Sequence, residues 1–219
     1  MEHLNAKIYL NDLRGPNLFE AHQDSFGPLS LFNNEVLNAA KSKVKSCSGN
    51  TFLVLVPVTG DLIYSDTHTE RLEVNVGQAL IVLRPADFIF EIENPFDAYE
   101  ISFLQLRIQN LNKRLSVLTE LFDFDLTENQ DHFTEIVSNR DSSIIWPFKM
   151  SIKRFNGREE ILHTLKEYSG VFLYVLAGAF EVTGRLLHAN DGLSLWNLPE
   201  VDMEALSNNA VLLMVELES

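Results

Sequence analysis

Apolar and polar positions alternate with a period of two along most of the chain, in short runs rich in Val, Ile, Leu and Phe. A strand turns successive side chains to opposite faces, so this period predicts half-buried β-strands. Runs of this kind fall at Lys7–Leu10, Leu29–Asn33, Phe52–Val58, Asp61–Ser65, Arg71–Val74, Ala79–Leu83, Phe88–Ile92 and Tyr99–Ile108. Gly60-Asp61, Gly77 and Asn94-Pro95 punctuate them as turns. Short strands at this spacing predict a sandwich or barrel rather than a parallel α/β sheet.

The period changes after residue 110. In NLNKRLSVLTELF, Leu111, Leu115, Leu118 and Phe122 follow helical spacing, with Asn110 in position to cap, so the pattern predicts a short helix. The acidic stretch DFDLTENQD, Asp123 to Asp131, then reads as a surface link. Strands resume at Ser143–Phe155 and Glu160–Leu165, continue through VFLYVLAGAFEVTGRLLHANDGLSLWNL from Val171 to Leu198, and close at Asp202–Leu206 and Val211–Leu217. This second half echoes the first. VLVPVTGDLIY and LYVLAGAFEV each set a glycine at a tip between apolar runs, and NVGQALIVL and NDGLSLWNL each supply a later turn. The echo predicts two similar β domains in tandem, with residues 1–110 as the first, 111–131 as helix and acidic linker, and 132–219 as the second.

Composition narrows the function classes. Asp plus Glu exceed Lys plus Arg by 31 to 17, a net charge of −14. That balance argues against a phosphate backbone or an anionic membrane surface as direct partner. The single cysteine, Cys47, excludes an internal disulfide and suits a reducing compartment. No apolar run approaches the length of a membrane span, and no signal segment opens the sequence, so a cytoplasmic location is expected.

The tandem pattern, with YVLAGAFEVTG, HANDGLSLWN and the closing AVLLMVELE, resembles the C-terminal half of the pirin family of bicupins. The opening KIYLNDLRG…DSFGPLSLFNN and the later NVGQALIVLRPADFIFEIENP resemble the family's first half. The resemblance implies an all-β fold of two tandem cupin barrels, each a jelly-roll-like double-stranded β-helix. It also implies one mononuclear metal in the N-terminal barrel. There a His-x-His-x3-Glu run enters the first hairpin and a His-x-Glu pair lies on a later strand. Such an N/O site with an open position suits Fe, Mn, Ni or Cu, and some members use it to split flavonols with oxygen.

This chain departs from that pattern. Counting back from Gly60 puts the His-x-His positions at Ser46 and Ser48 and the downstream glutamate at Phe52. The later pair falls at Phe90 and Ile92, with Asn94 and Pro95 just beyond still in register. No histidine lies between His22 and His68. Serine hydroxyls and apolar side chains do not replace imidazoles and a carboxylate, so no metal and no cofactor are expected. In the second barrel His163 matches the start of the general cupin motif, but Leu165 stands at its second histidine position and Leu193, Leu195 and Trp196 on the later strand. His163, Leu165 and Trp196 are the C-terminal pocket candidates.

Other groups have bland readings beside functional ones. Asp66, His68 and Glu70 alternate in DTHTE and form a candidate carboxylate–His–carboxylate set, or a solvated loop. His22 with Asp24, and His188, read as surface positions. Cys47 reads as a buried, inert thiol. Lys41, Lys43 and Lys45 read as the wet face of a strand or a docking patch, and Phe88, Phe90 and Phe96 as core or pocket lining. The expectation is a non-catalytic, pirin-like bicupin that binds a small apolar ligand or a protein partner, with a regulatory role possible by resemblance. The alternative is a metal-dependent dioxygenase with relocated ligands, His163 or His68 with Asp66 and Glu70.

Overall fold

The computed structural model describes residues 5–11, 25–111, 117–127, 131–137, 146–165 and 170–217. Strand β1 (Ala6–Tyr9) comes first. Then follow β2 (Leu29–Leu37), β3 (Ser42–Cys47), β4 (Thr51–Thr59), β5 (Leu62–Asp66), β6 (Leu72–Val74), β7 (Gln78–Leu83), β8 (Phe88–Glu93), β9 (Ile101–Gln109) and β10 (Leu118–Asp123). The remainder comprises β11 (Thr134–Val137), β12 (Phe148–Phe155), β13 (Glu160–Thr164), β14 (Gly170–Ala177), β15 (Ala179–Val182), β16 (Arg185–His188), β17 (Gly192–Trp196), β18 (Glu200–Ala205) and β19 (Ala210–Leu217). Every strand pair is antiparallel.

The chain divides into two compact units, with the break at Phe124/Asp125 and the N-terminal strand counted with the later residues. In the first unit, a five-stranded sheet ordered β10-β7-β4-β9-β2 faces a four-stranded sheet ordered β3-β8-β5-β6. In the second, a sheet ordered β1-β17-β14-β19-β12-β11 faces one ordered β13-β18-β15-β16. The orders match strand for strand, and only β11 is extra. The internal echo in the sequence is therefore a repeated two-sheet cupin barrel. Gly60 (φ +71°) and Gly178 (φ +81°) sit at the equivalent hairpin tips, in the left-handed region that a side chain resists.

Each barrel has a core of its own. Leu53, Leu55, Leu80 and Val82 meet Tyr64, Phe88, Phe90 and Ile92 in the first. Leu173, Val175, Leu193 and Met214 meet Phe180, Val201 and Met203 in the second. Each fully buried side chain of this size contributes about 1.5–3 kcal/mol, which makes these two clusters the main stabilising element.

The helix expected from Leu111 to Phe122 is not formed in the described part of that stretch. Residues 112–116 lie outside the described residues, and Leu118–Asp123 is strand β10, paired residue for residue with β7 from Leu118↔Leu83 to Asp123↔Gln78. The physical reason is the open edge of β7, whose N–H and C=O groups offer six residues a ladder that helical spacing of a few leucines cannot outweigh. β1 does the same for the equivalent strand β17, from Ala6↔Leu195 to Tyr9↔Gly192.

Candidate functional site

Strands β3 and β8 form the wall of the first barrel on which the sequence places its ligand positions. They pair as Lys43↔Ile92, Lys45↔Phe90 and Cys47↔Phe88. Cys47, Phe88, Phe90 and Ile92 are all buried in the barrel core. Alternation then turns Lys43 and Lys45 to the same side as Cys47, and Ser46 to the other. Ser46 and Ser48 are exposed and do not line the interior. Phe52 is fully buried but on the face of β4 opposite Leu53 and Leu55, which belong to the barrel core. Of the five N-terminal candidates, the structure therefore brings together only Phe90 and Ile92. Phe90 stacks on Tyr64 with ring centroids 6.0 Å apart.

This wall does not fit a transition ion. Its inward positions offer two ammoniums, three apolar side chains and one thiol. A thiol binds metal as thiolate, and burial pushes Cys47 up to about 11, the nearby Arg107 guanidinium opposing only in part. Ammoniums have no lone pair and repel a cation. Among the described residues no three His, Cys, Asp or Glu side chains gather as a metal group.

Two buried polar clusters sit in this barrel instead. In one, Glu35 of β2 pairs with Lys43 at 3.0 Å and with Lys45, and Lys45 donates to Gln105 Oε1 at 2.7 Å. Burial alone would raise the Glu35 carboxyl, but the two ammoniums outweigh it and hold the group below its ordinary value. Lys45 is pulled below its ordinary value by burial, with Glu35 opposing. The wet-face reading of these lysines is corrected for Lys45, which turns inward because its period-two partner is the core residue Cys47. In the other cluster, Asp66 accepts from the Tyr64 hydroxyl at 2.8 Å and from Arg84 Nε at 3.0 Å. Its second oxygen takes the backbone N–H groups of His68 and Thr69. His68 and Glu70 are exposed, so DTHTE does not converge on a ligand set.

In the second barrel Leu165 is core, and Trp196 is half-buried at the end of β17. His163 Nε2 lies 3.3 Å from Glu216 Oε1, without the alignment of a hydrogen bond. Burial would raise the Glu216 carboxyl, and His163 and Lys149 together lower it. One imidazole and one committed carboxylate do not make a metal site. His188 is exposed. His22 and Asp24 lie outside the described residues.

Among the described residues, each barrel has a contiguous cluster of buried apolar side chains. Phe88 and Phe90 are core, and Phe96 stacks on Tyr99 at 4.4 Å near the β8–β9 turn. A shallow depression of about 290 Å³ opens beside Ser42, Asn94 and the carboxylates Glu91, Glu93 and Asp97. Glu93 there is already bound by Arg71 at 3.0 Å.

Sequence reading missed both buried ion clusters. The Glu35 cluster had two signals: Glu35 interrupts the apolar strand LSLFNNEVL, and Lys43 and Lys45 share the parity of Cys47.

Two tandem cupin barrels with matching strand orders define a bicupin. The likeness to known proteins is more specific. Residues 138–217 match the model of the family described as the quercetinase C-terminal cupin domain. YhhW from Escherichia coli superposes with a TM-score of 0.85 at 17% identity, covering 97% of this chain and 97% of that one. The bacterial pirin YhhW in complex with nickel(II), from the same organism, gives 0.84 at 16% identity, covering 97% and 99%. A quercetin 2,3-dioxygenase from Acinetobacter baumannii gives 0.75 at 15% identity, covering 92% and 73%. No curated protein matches the sequence. The chain thus has the pirin-like bicupin fold. No helix among the described residues is long and apolar enough to cross a membrane.

Proposed function

We propose that this pirin-like bicupin is non-catalytic, holds no metal in its N-terminal barrel, and acts by binding. The single observation that carries this reading is the inward face of β3 and β8: Lys43, Lys45 and Cys47 against Phe88, Phe90 and Ile92. A flavonol-splitting relative of this fold needs imidazoles and a carboxylate there, and this donor set supplies neither. A partner at the surface suits the structure, and the outer face of the same wall exposes Val44 and Ile89. The buried single thiol suits the reducing cytoplasm. Among the described residues the rival reading, a dioxygenase with relocated ligands, has the His163–Glu216 contact in its favour, and Lys149 already shares that carboxylate.

Metal analysis of protein purified without chelators tests the proposal. The expected result is first-row metal far below one ion per chain and no oxygen uptake with quercetin after loading with nickel or iron. One tightly held ion per chain, lost on substitution within β3 or β8, overturns it.

A further inference from the structure

The far edge of β13 carries main-chain groups that no described strand pairs. β13 lies at the end of its sheet, beside β18 alone. Bonds just beyond each end of the strand fix the phase of that ladder. Ala205 N–H donates to the Glu159 carbonyl at 3.0 Å, and Leu165 N–H donates to the Pro199 carbonyl at 2.8 Å. Bonded and non-bonded pairs alternate along an antiparallel ladder. Ile161 and His163 therefore bond toward β18, opposite Met203 and Val201. Glu160, Leu162 and Thr164 turn N–H and C=O the other way. Their side chains are exposed, Leu162 at 60%.

The repeat supplies an internal comparison. β3 is the equivalent edge strand of the first barrel, and it is blunted. Arg107 holds the Ser46 carbonyl, and Lys43 and Lys45 turn charge inward. Devices of this kind keep foreign strands off an edge. EILHT in β13 contains no lysine, arginine or proline.

Charge says what fits beside it. Glu160 of β13, Glu204 of β18 and Glu181 of β15 stand opposite one another in register, on one outer face of the sheet. Like charges directly opposed destabilise a sheet. Asp202 and Glu200 follow along β18, opposite Leu162 and Thr164. Among the described residues the ion pair on this face is Arg158 with Glu204, at 2.8 Å. A strand added beside β13 would lie two strand spacings, about 9–10 Å, from the β18 carboxylates. A lysine or arginine on it spans most of that gap, with its stem on Leu162 and its head at Asp202. On the other face, apolar residues of the added strand would extend Ile161, which packs on the barrel core. A second copy of this chain would instead bring a like acidic face alongside.

We propose that the β13 edge takes up an extended segment of a partner protein by strand addition, with basic and apolar residues alternating in that segment. Main-chain hydrogen bonds to Glu160, Leu162 and Thr164 supply affinity, and the acidic face selects the cations. The inference deepens the surface-binding reading above and rests on it.

The test titrates the intact protein with the blocked peptide TKVRVKT. The charge-reversed TEVEVET and the ladder-broken TKVPVKT serve as controls. Calorimetry reads binding, and amide hydrogen exchange reads the Leu162 N–H. The expected result is saturable binding of TKVRVKT, weakened by salt, with slowed exchange at Leu162. TKVPVKT binds several-fold more weakly, and TEVEVET does not bind. Leu162→Pro sits where the N–H faces solvent, a position at which edges tolerate proline, and weakens binding at least severalfold by removing a main-chain donor. Glu200→Gln with Asp202→Asn, both exposed, lowers affinity and its salt dependence, and keeps the test decisive should the proline variant fail to fold. No saturable binding of TKVRVKT, equal binding of TEVEVET, or indifference to the variants overturns the proposal. Binding that leaves the Leu162 amide exchanging freely is surface charge alone and overturns it too. Protection of that amide without peptide, rising with protein concentration, assigns the edge to a second copy and does the same. Failure of the peptide removes only this edge, whereas a stoichiometric metal ion in the N-terminal barrel removes the non-catalytic reading itself.

Discussion

Arg84 and Asp66 form an ion pair sealed from solvent at the end of the first barrel, with Arg84 Nη2 2.8 Å from Asp66 Oδ2 and side-chain exposures of 2% and 0%. The same guanidinium donates to the Leu118 carbonyl at 2.6 Å and to Thr119 Oγ1 at 3.0 Å. It therefore ties strand β10 to the barrel. Arg84→Met leaves Asp66 buried beside only neutral donors and removes both ties. Breaking a buried pair from one side costs about 3–5 kcal/mol. Urea denaturation is expected to show a loss of that size, and hydrogen exchange is expected to show β10 losing protection before β4 and β9.

The same pair sets the response to acid. Burial would raise Asp66, but the Tyr64 hydroxyl, two backbone N–H groups and Arg84 outweigh it and lower the carboxyl. A carboxyl lower in the folded than in the unfolded chain contributes stability above its unfolded value, about 3.9. That contribution is lost as pH falls through the folded value. Glu35 and Glu216 are lowered too, so all three act in one direction. The melting temperature is expected to hold from neutral pH to about 5 and to fall steeply below about 4. Asp66→Asn is expected to melt lower at neutral pH and to show a shallower acid dependence.

Gly60 and Gly178 test the repeat. A Cβ on Gly60 would lie 2.6 Å from Ile101 Cγ2, and one on Gly178 would lie 2.4 Å from Ser207 Oγ and 2.8 Å from Ala210 Cβ. Both combine a positive φ with a steric clash, so alanine at either is expected to cost about 1–3 kcal/mol or more. Alanine at Gly184, which has a positive φ but open space around it, is expected to cost less than either.

The barrel fold was legible because its causes are local. Period-two alternation marks β4, β5, β7 and β8, and the glycine tips and turn spacing expose the tandem repeat. β10 was not legible, because its conformation is set by a partner edge more than thirty residues away rather than by its own leucines. The buried face of β8 was legible, since a strand of alternating apolar residues declares it, and Phe90 and Ile92 lie in the barrel core. Ser46 and Ser48 were placed by counting across the Ser48–Asn50 turn, and a count across a turn does not preserve which face a side chain takes. The local rule, that Lys45 shares its face with Cys47, gives the observed answer.

Cys47 reports on the integrity of the first barrel. Its thiol is 1% exposed among apolar neighbours, and burial pushes it up to about 11. At pH 8 it is therefore both sheltered and protonated, whereas an unfolded cysteine near 8.5 is partly thiolate. Native protein is expected to react with an aromatic disulfide reagent only at its rate of opening, and denatured protein at once. Fast native labelling would show that the β3–β8 wall opens readily.

The Glu35 cluster yields an ordering of variants rather than one value. Among the described residues Glu35 is the sole carboxylate contacting Lys43 and Lys45, and it is 6% exposed. Glu35→Gln leaves two ammoniums and Arg107 facing one another with no counter-charge, and Lys45 has little access to water. Lys45→Met removes the buried ammonium but leaves Glu35 paired with Lys43 and replaces the lost stem with apolar volume beside Phe90. Lys43→Gln removes a half-exposed partner whose pairing is screened, worth about 0–1 kcal/mol. Stability loss is therefore expected to rank Glu35→Gln first, Lys45→Met second and Lys43→Gln last. The double variant Glu35→Gln with Lys45→Met should recover part of the first loss, because the unpaired ammonium is gone. Urea denaturation of the four proteins measures the coupling. If losses from Glu35→Gln and Lys45→Met simply add, the two groups do not interact, and the inward placement of Lys45 on β3 is wrong.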